Sequence, residues 1–348
     1  MTSQNKKWIK RGCNVSDFDA VSLYPSAMNR MDGFLKGSPK IIDNFEPEKY
    51  DGYFIQILIT NIKKKYNFSL ASYVNEKGIR CFTNDLVGKS IFVDKTSLED
   101  LVHFQGLEYE FIKGYYYDEG RNPKIKETMK HLFTQRLKYK EKVYIKDADD
   151  KIIAEYDNKK LWTQSIHKDH DKDLIQFGNP VQMVFKELMN SSYGKTFMKP
   201  IDCELEYIHK DKLDEYTDRH FNQIKVMYPL CDGKTIKVEK IKTIDTHFNN
   251  VPCGVEILSM SKRIMNEVMT LAEDNKLPMY ITDTDSIHID TKCVPILGDK
   301  FREKYNRELI GKQMGQFHTD FDLDGSDGEI IATDCVFLGK KVYIDKLQ

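Results

Sequence analysis

The sequence has no run of about 18 apolar residues, so no segment is long enough to cross a bilayer as a helix. Its opening, MTSQNKKWIKRGCNV, is basic but lacks the apolar core of a secretory signal. Seven cysteines stand singly, at 13, 81, 203, 231, 253, 293 and 335, with no CxxC pair among them. That spacing argues against a zinc site or a disulfide framework and favours a reducing compartment. Neither sign of charge is in excess, because 53 Lys and Arg face 54 Asp and Glu. A nucleic-acid partner must therefore be held by local basic patches rather than by total charge. Internal repeats and low-complexity linkers are missing too. The expected setting is the cytoplasm or nucleus of a host cell, not secreted and with no membrane partner.

What is present is a 348-residue chain, 40% hydrophobic and 31% charged, which suits one large globular domain or two to three small ones. VSDFDAVSL, 15–23, reads as a strand running into a turn at Pro25. GYFIQILITNI, 52–62, alternates as a strand does, and KSIFVDKT and LEYEFIKGYYY add two more. A short helix between those two is expected to start near Thr96 or Ser97, with Glu99 and Asp100 in its first turn. A longer helix is expected over 122–146, with Ile125, Met129, Leu132 and Leu137 along its apolar stripe. A polar loop to about 173 follows, then a helix over NPVQMVFKELMNSSYGK with proline near its start. Strands are expected at 203–209 and 235–245, a helix at 254–275, and strands again in MYITD and near the end. Strands and helices mixed without βαβ alternation indicate an α+β fold.

Three stretches carry chemistry. YITDTDSIHID, 280–290, reads as a strand, and Asp283 and Asp285, two apart, would then share a face. Adjacent carboxylates require a proton, an arginine or a metal ion between them. KELMNSSYG places Lys186, Asn190 and Tyr193 at i, i+4 and i+7 of a helix, one polar stripe. DAVSLYPSAM puts Asp19 at a strand end. Each alone has a plainer reading: a turn-forming aspartate, a solvated stripe, an acidic hairpin turn.

Taken together and in this order, DAVSLYPS, KELMNSSYG and YITDTDS resemble the three polymerase motifs of the family B DNA polymerases. GKKVYI resembles the Lys-x-Tyr element of the protein-primed and viral branch, and LFTQRLKYK resembles the first fingers helix. The resemblance implies a right-hand polymerase core whose palm is an antiparallel sheet and whose fingers are two helices. On that reading 1–42 and 251–348 form the palm, 122–196 the fingers, and 43–121 and 197–250 are insertions of the protein-primed type. Asp19 and Asp285 would bridge two Mg²⁺ ions, with Mn²⁺ as an alternative, and Asp283 would contribute less directly. Asp17, outside the motif, is given a structural or electrostatic role. Ser22, Leu23 and Tyr24 would hold the incoming dNTP, Tyr24 acting as a steric gate beneath the deoxyribose. Arg136, Lys140 and Lys186 would meet the triphosphate, Asn190 a phosphate oxygen, and Tyr193 and Gly194 the nascent base pair. Thr284, Ser286, Lys341 and Tyr343 would contact the primer.

The implied partners are primed DNA template, dNTPs, a priming (terminal) protein, and a separate chain bearing an exonuclease or thumb. Only 18 residues precede Asp19 and five follow Tyr343, so neither a proofreading domain nor a full thumb is expected here. The basic run NIKKKY, 61–66, is either a DNA-phosphate contact or a solvated loop. Two rival functions remain at this point. A catalytically weak fragment would act as a DNA- or priming-protein-binding module. A metal-dependent nuclease would use the aspartates but leave Tyr24 and the Lys186 stripe without a role.

Overall fold

Residues 8–157, 175–199, 203–242, 249–319, 321, 330–339 and 341–348 are described by a computed structural model. Two compact units emerge: Met1–Asn190 with Val255–Gln348, and Ser191–Gly254. The mixture of helix and antiparallel sheet agrees with the α+β expectation.

The first unit is organised on a six-stranded antiparallel sheet. Met279–Asp283, Ser286–Asp290, Trp8–Ala20, Ala332–Gly339 and Val342–Leu347 lie in that order, and Phe317–Thr319 pairs with the end of Trp8–Ala20. Val15, Ile281, Ala332, Cys335 and Phe337 fill one face of it. Residues 280–290 are not one strand. The chain reverses at Thr284, which takes a left-handed backbone (φ 58), so Asp283 ends one strand and Asp285 lies in the turn. A turn rich in Asp and Thr is what such a reversal favours. Beyond Ala20 the expected turn at Pro25 is instead a helix, Leu23–Arg30. Pro25 sits in its first turn, where a missing N–H leaves no intrahelical bond unmade.

Residues 43–121 belong to this same unit. Lys40–Ile41, Leu107–Tyr117, Gly52–Ile62 and Ser90–Asp94 form a four-stranded antiparallel sheet in that order. Tyr53, Ile55, Ile57 and Ile59, every second residue of Gly52–Ile62, turn inward to a core with Ile91, Val93, Leu98 and Leu101. The helix Lys95–Gln105 begins slightly earlier than expected because Asp94 caps it, accepting from the Ser97 N–H at 3.4 Å. Glu99 and Asp100 consequently lie past its first turn.

The long helix Val251–Asp274 ties this segment to the rest of the unit through buried polar contacts. Ser259 Oγ donates to Asp94 at 2.6 Å, and Arg121 grips Glu256 at 2.7 Å. Arg263 reaches Asp100 at 2.6 Å, Glu99 at 2.8 Å and the Thr96 carbonyl at 2.8 Å. The lysines of 61–66 are neutralised within the protein: Lys63 pairs with Glu108, Lys64 with Asp274 and Lys65 with Asp85. The solvated-loop reading suits them.

The helix expected to reach 146 stops at Lys140. Val143–Lys146 becomes the middle strand of a three-stranded sheet with Ile152–Tyr156 and Ile175–Phe177, because Val143, Tyr144 and Ile145 are all buried and branched or aromatic. Residues 158–174 of the expected loop lie outside the described residues. The next helix runs Val181–Thr196. In the second unit, Cys203–His209, Thr235–Ile241 and Ile224–Pro229 form a sheet with the helix Leu213–His220. Among the described residues no helix is long and apolar enough to cross a membrane. The six described cysteines, at 81, 203, 231, 253, 293 and 335, are free thiols.

The Arg263 cluster should carry much of the attachment between the segment 43–121 and the long helix. Arg263→Ala strands the Asp100 carboxylate, whose side chain is 9% exposed, and is expected to cost about 3–5 kcal/mol in urea unfolding. Glu99→Gln, at 47% exposure, should cost less than about 1 kcal/mol.

Candidate active site

Asp19 is the penultimate residue of Trp8–Ala20, with Ser286 opposite it on one neighbouring strand and His318 on the other. The Ala20 N–H donates to the Asp285 carbonyl at 2.8 Å. That bond seats the hairpin turn against the end of the Asp19 strand and sets the backbones of two aspartates distant in sequence beside each other. Within the turn, the Asp285 N–H donates to the Asp283 carbonyl at 2.7 Å. Asp283 is occupied separately, by Lys341 Nζ at 2.9 Å.

Lys341 is not on a strand face with Tyr343. It has a left-handed backbone (φ 57) in the turn that precedes Val342–Leu347. Both nevertheless address Asp283: burial first, then the charges of Asp17, Asp283 and Asp345, raise the Tyr343 phenol above its ordinary value. Asp17 is 5% exposed and lies opposite His288, with 3.2 Å between Asp17 Oδ1 and His288 Nδ1.

On the other side of Asp19 the chain makes a tight bend. Ser22 adopts φ 50, and the Ser26 N–H donates back to the Ser22 carbonyl at 2.8 Å. Leu23 is buried beneath the bend. Tyr24 is pushed above its ordinary phenol value by burial and then by the Asp285 carboxylate, so its ring stands within electrostatic reach of the turn.

Arg136, half-buried on the helix Lys124–Lys140, donates from Nη1 to Ser22 Oγ at 2.9 Å. Burial lowers its guanidinium. Lys140, one turn on, is lowered by burial and then by the charges of Arg136, Lys312 and Lys186. Three other cations thus act electrostatically on Lys140. Lys186 and Asn190 share a stripe of Val181–Thr196, Asn190 exposed. Tyr193 and Gly194 continue that helix but fall in the second unit, where the Tyr193 ring meets Phe197 edge-on at 5.5 Å. A Cβ added at Gly194 would meet nothing within 4 Å among the described residues.

Lys312 and His318 were missed by motif reading. Lys312 lies in a loop that docks on the Ser22 bend, with the Val21 N–H donating to the Gln316 carbonyl and the Gly315 N–H to Ser26 Oγ, each at 2.9 Å. His318 Nδ1 lies 3.2 Å from the Asp19 carbonyl oxygen. One lysine among 53 basic residues leaves no periodic trace in the sequence; only the proximity of GKQMG to the strand pairing with Asp19 could have marked it.

Among the described residues no three His, Cys, Asp or Glu side chains converge as a metal-binding cluster. Two carboxylates alone suit a hard cation that keeps waters and takes its other ligands from substrate phosphates, as Mg²⁺ does. Carboxylates such as those of Asp19 and Asp285 are ligands of the kind Mg²⁺ or Mn²⁺ accepts.

No protein-family profile matches the chain. A curated relative, "Probable DNA polymerase" of Ascobolus immersus, is 24% identical over 337 residues, covering 95% of this chain and 22% of that protein. Among solved structures, phi29 DNA polymerase in an orthorhombic crystal form superposes with a TM-score of 0.54 at 15% identity, over 100% of this chain and 49% of that one. Phi29 DNA polymerase complexed with primer-template DNA gives 0.52 at 16% identity, over 98% and 47%. The complex with primer-template DNA and incoming nucleotides also gives 0.52, at 15% identity. The chain spans about half the length of these structures and about a fifth of the curated relative. Its three motifs resemble those of the family B DNA polymerases, and the fold of nearly its whole length is similar to that of phi29 DNA polymerase.

Proposed function

We propose that this chain is the polymerase core of a DNA-directed DNA polymerase, joining a dNMP to a primer 3′-hydroxyl on a DNA template. The single observation that carries the reading is the seating of the Asp285 turn against the Asp19 strand, with Tyr24 on one side and a cluster of cations beyond it. The sheet bearing the aspartates is the palm; Lys124–Lys140 and Val181–Thr196 are the fingers.

Asp19 and Asp285 would hold the divalent cations, which neutralise charge on the attacking and leaving oxygens when bound. Arg136, steadied by Ser22, presents its planar fork to the triphosphate, and Lys140 and Lys186 add point charges. In this reading Lys186 also donates a proton to the departing pyrophosphate. Tyr24 packs under the sugar and excludes a 2′-hydroxyl. Lys341 and Tyr343 hold the primer backbone beside Asp283, with Thr284 and Ser286 flanking the primer end. The protein around Gly194 makes no demand for glycine, which suits a surface kept smooth for the nascent base pair. We assign contacts with a priming protein to the segment 43–121 and contacts with DNA to 197–250. A nuclease reading leaves the cations and Tyr24 without purpose.

Extension of a primed template with Mg²⁺ and dNTPs tests the reading. Asp19→Asn and Asp285→Asn should each lower the rate by on the order of 10²-fold or more, with melting temperature preserved. A near-normal rate in either variant contradicts the assignment. Tyr24→Ala should cut discrimination against ribonucleotides by about 10- to 200-fold, measured as the ratio of kcat/KM values. Because burial and neighbouring cations lower Lys140, its charge is lost on raising the pH earlier than that of an ordinary lysine. The dNTP kcat/KM should therefore fall on the alkaline side, and Lys140→Arg should move that fall to higher pH.

A further inference from the structure

His288 is fully buried in the sheet, between Ile287 and Ile289, which are equally enclosed. Its two ring nitrogens face two acidic side chains. Nδ1 lies 3.2 Å from Asp17 Oδ1, and Nε2 is hydrogen-bonded to Asp345 Oδ2 at 3.2 Å. Three aromatic rings box the imidazole, each nearly perpendicular to it: Tyr343 at 5.2 Å, Phe337 at 5.5 Å and Phe321 at 5.9 Å. Perpendicular contacts on several sides leave the ring little freedom to rotate or translate.

The connectivity gives this cage its meaning. Asp17 is two residues before Asp19 on the first strand, and His288 is three residues after Asp285 on the hairpin. Asp345 is two residues after Tyr343 on the last strand, which two other strands separate from the hairpin in the sheet order. Backbone pairing does not join the hairpin directly to the strand that carries Tyr343; the imidazole does. Neither contact is needed for the core as such, since a buried polar group costs stability that an apolar ring of similar volume would not. A polar cross-link retained at that cost specifies geometry.

We propose that His288 is a positioning residue which, through Asp17 and Asp345, holds the primer-gripping pair Lys341 and Tyr343 in register with the carboxylates of Asp19 and Asp285. The inference rests on the polymerase reading and deepens it. His288 touches no reactant; it acts through Tyr343, against whose ring it packs, and through the strand anchored by Asp345.

The test is a double-mutant cycle in the full chain, read by single-turnover incorporation with the concentration of active sites counted from the burst amplitude. His288→Gln, which retains an amide donor within the cage, should lower the incorporation rate per active site by about 10- to 100-fold, with dNTP affinity within about twofold. Asp345→Asn, which keeps the side-chain shape, should show the same selective loss. His288→Leu should be slower than His288→Gln, so that the amide rescues part of the rate. Combined with Lys341→Ala, His288→Gln should add little further loss, because both changes spoil the same grip. A purely structural role would lower the melting temperature and the burst amplitude while leaving the rate per active site unchanged, and that result overturns the proposal. Fully additive losses in the cycle overturn it as well. Should His288→Leu fail to fold, the Gln and Asn variants decide alone. A wild-type chain unable to extend any primer removes the polymerase reading and this inference with it, an outcome distinct from an active wild type with an indifferent His288→Gln.

Discussion

One hydrogen bond governs the arrangement of the site: the Ala20 N–H donating to the Asp285 carbonyl at 2.8 Å. It closes the end of a strand against the reversal of a hairpin and thereby brings the backbones of two aspartates distant in sequence side by side. The backbone holds them there, and the antiparallel ladder between Trp8–Ala20 and Ser286–Asp290 extends from Val15 to Asp19, so the approach is set by five residue pairs. Nearby, burial and then the charges of Arg136, Lys312 and Lys186 lower Lys140.

Much of this was legible in the sequence, for definite physical reasons. The strands 52–62 and 107–117 match the structure residue for residue, because β-branched and aromatic side chains alternate along the first and crowd the second. The polar stripe of Lys186 and Asn190 follows from helical spacing alone. The local geometry inferred for the aspartates was wrong. A continuous strand through 280–290 would have put Asp283 and Asp285 on one face. The hairpin instead separates them, giving Asp283 to Lys341 and Asp285 to the Asp19 strand. The acidic turn is also what sets Asp285 against the Asp19 strand, so a plain turn and a functional site are not exclusive readings.

What was not legible depends on contacts distant in sequence. Helical propensity in KEKVYIK runs on past Lys140, but burial of Val143, Tyr144 and Ile145 in a small sheet overrides it. Lys312 acquires its place only because its loop docks on the Ser22 bend. His288 reads as an unremarkable member of SIHID until Asp17 and Asp345 arrive at its two nitrogens. The segment 43–121, set off in sequence as an insertion, is bound to the long helix by Arg121, Arg263 and Ser259 and shares its compact unit.

The central claim is that Asp19 and Asp285 jointly hold divalent cations. Calorimetric titration of Mn²⁺ into the chain with a saturating, non-incorporating dNTP addresses it without relying on turnover. The account predicts saturable binding that weakens sharply in both Asp19→Asn and Asp285→Asn. Unchanged affinity and stoichiometry in either variant would contradict it.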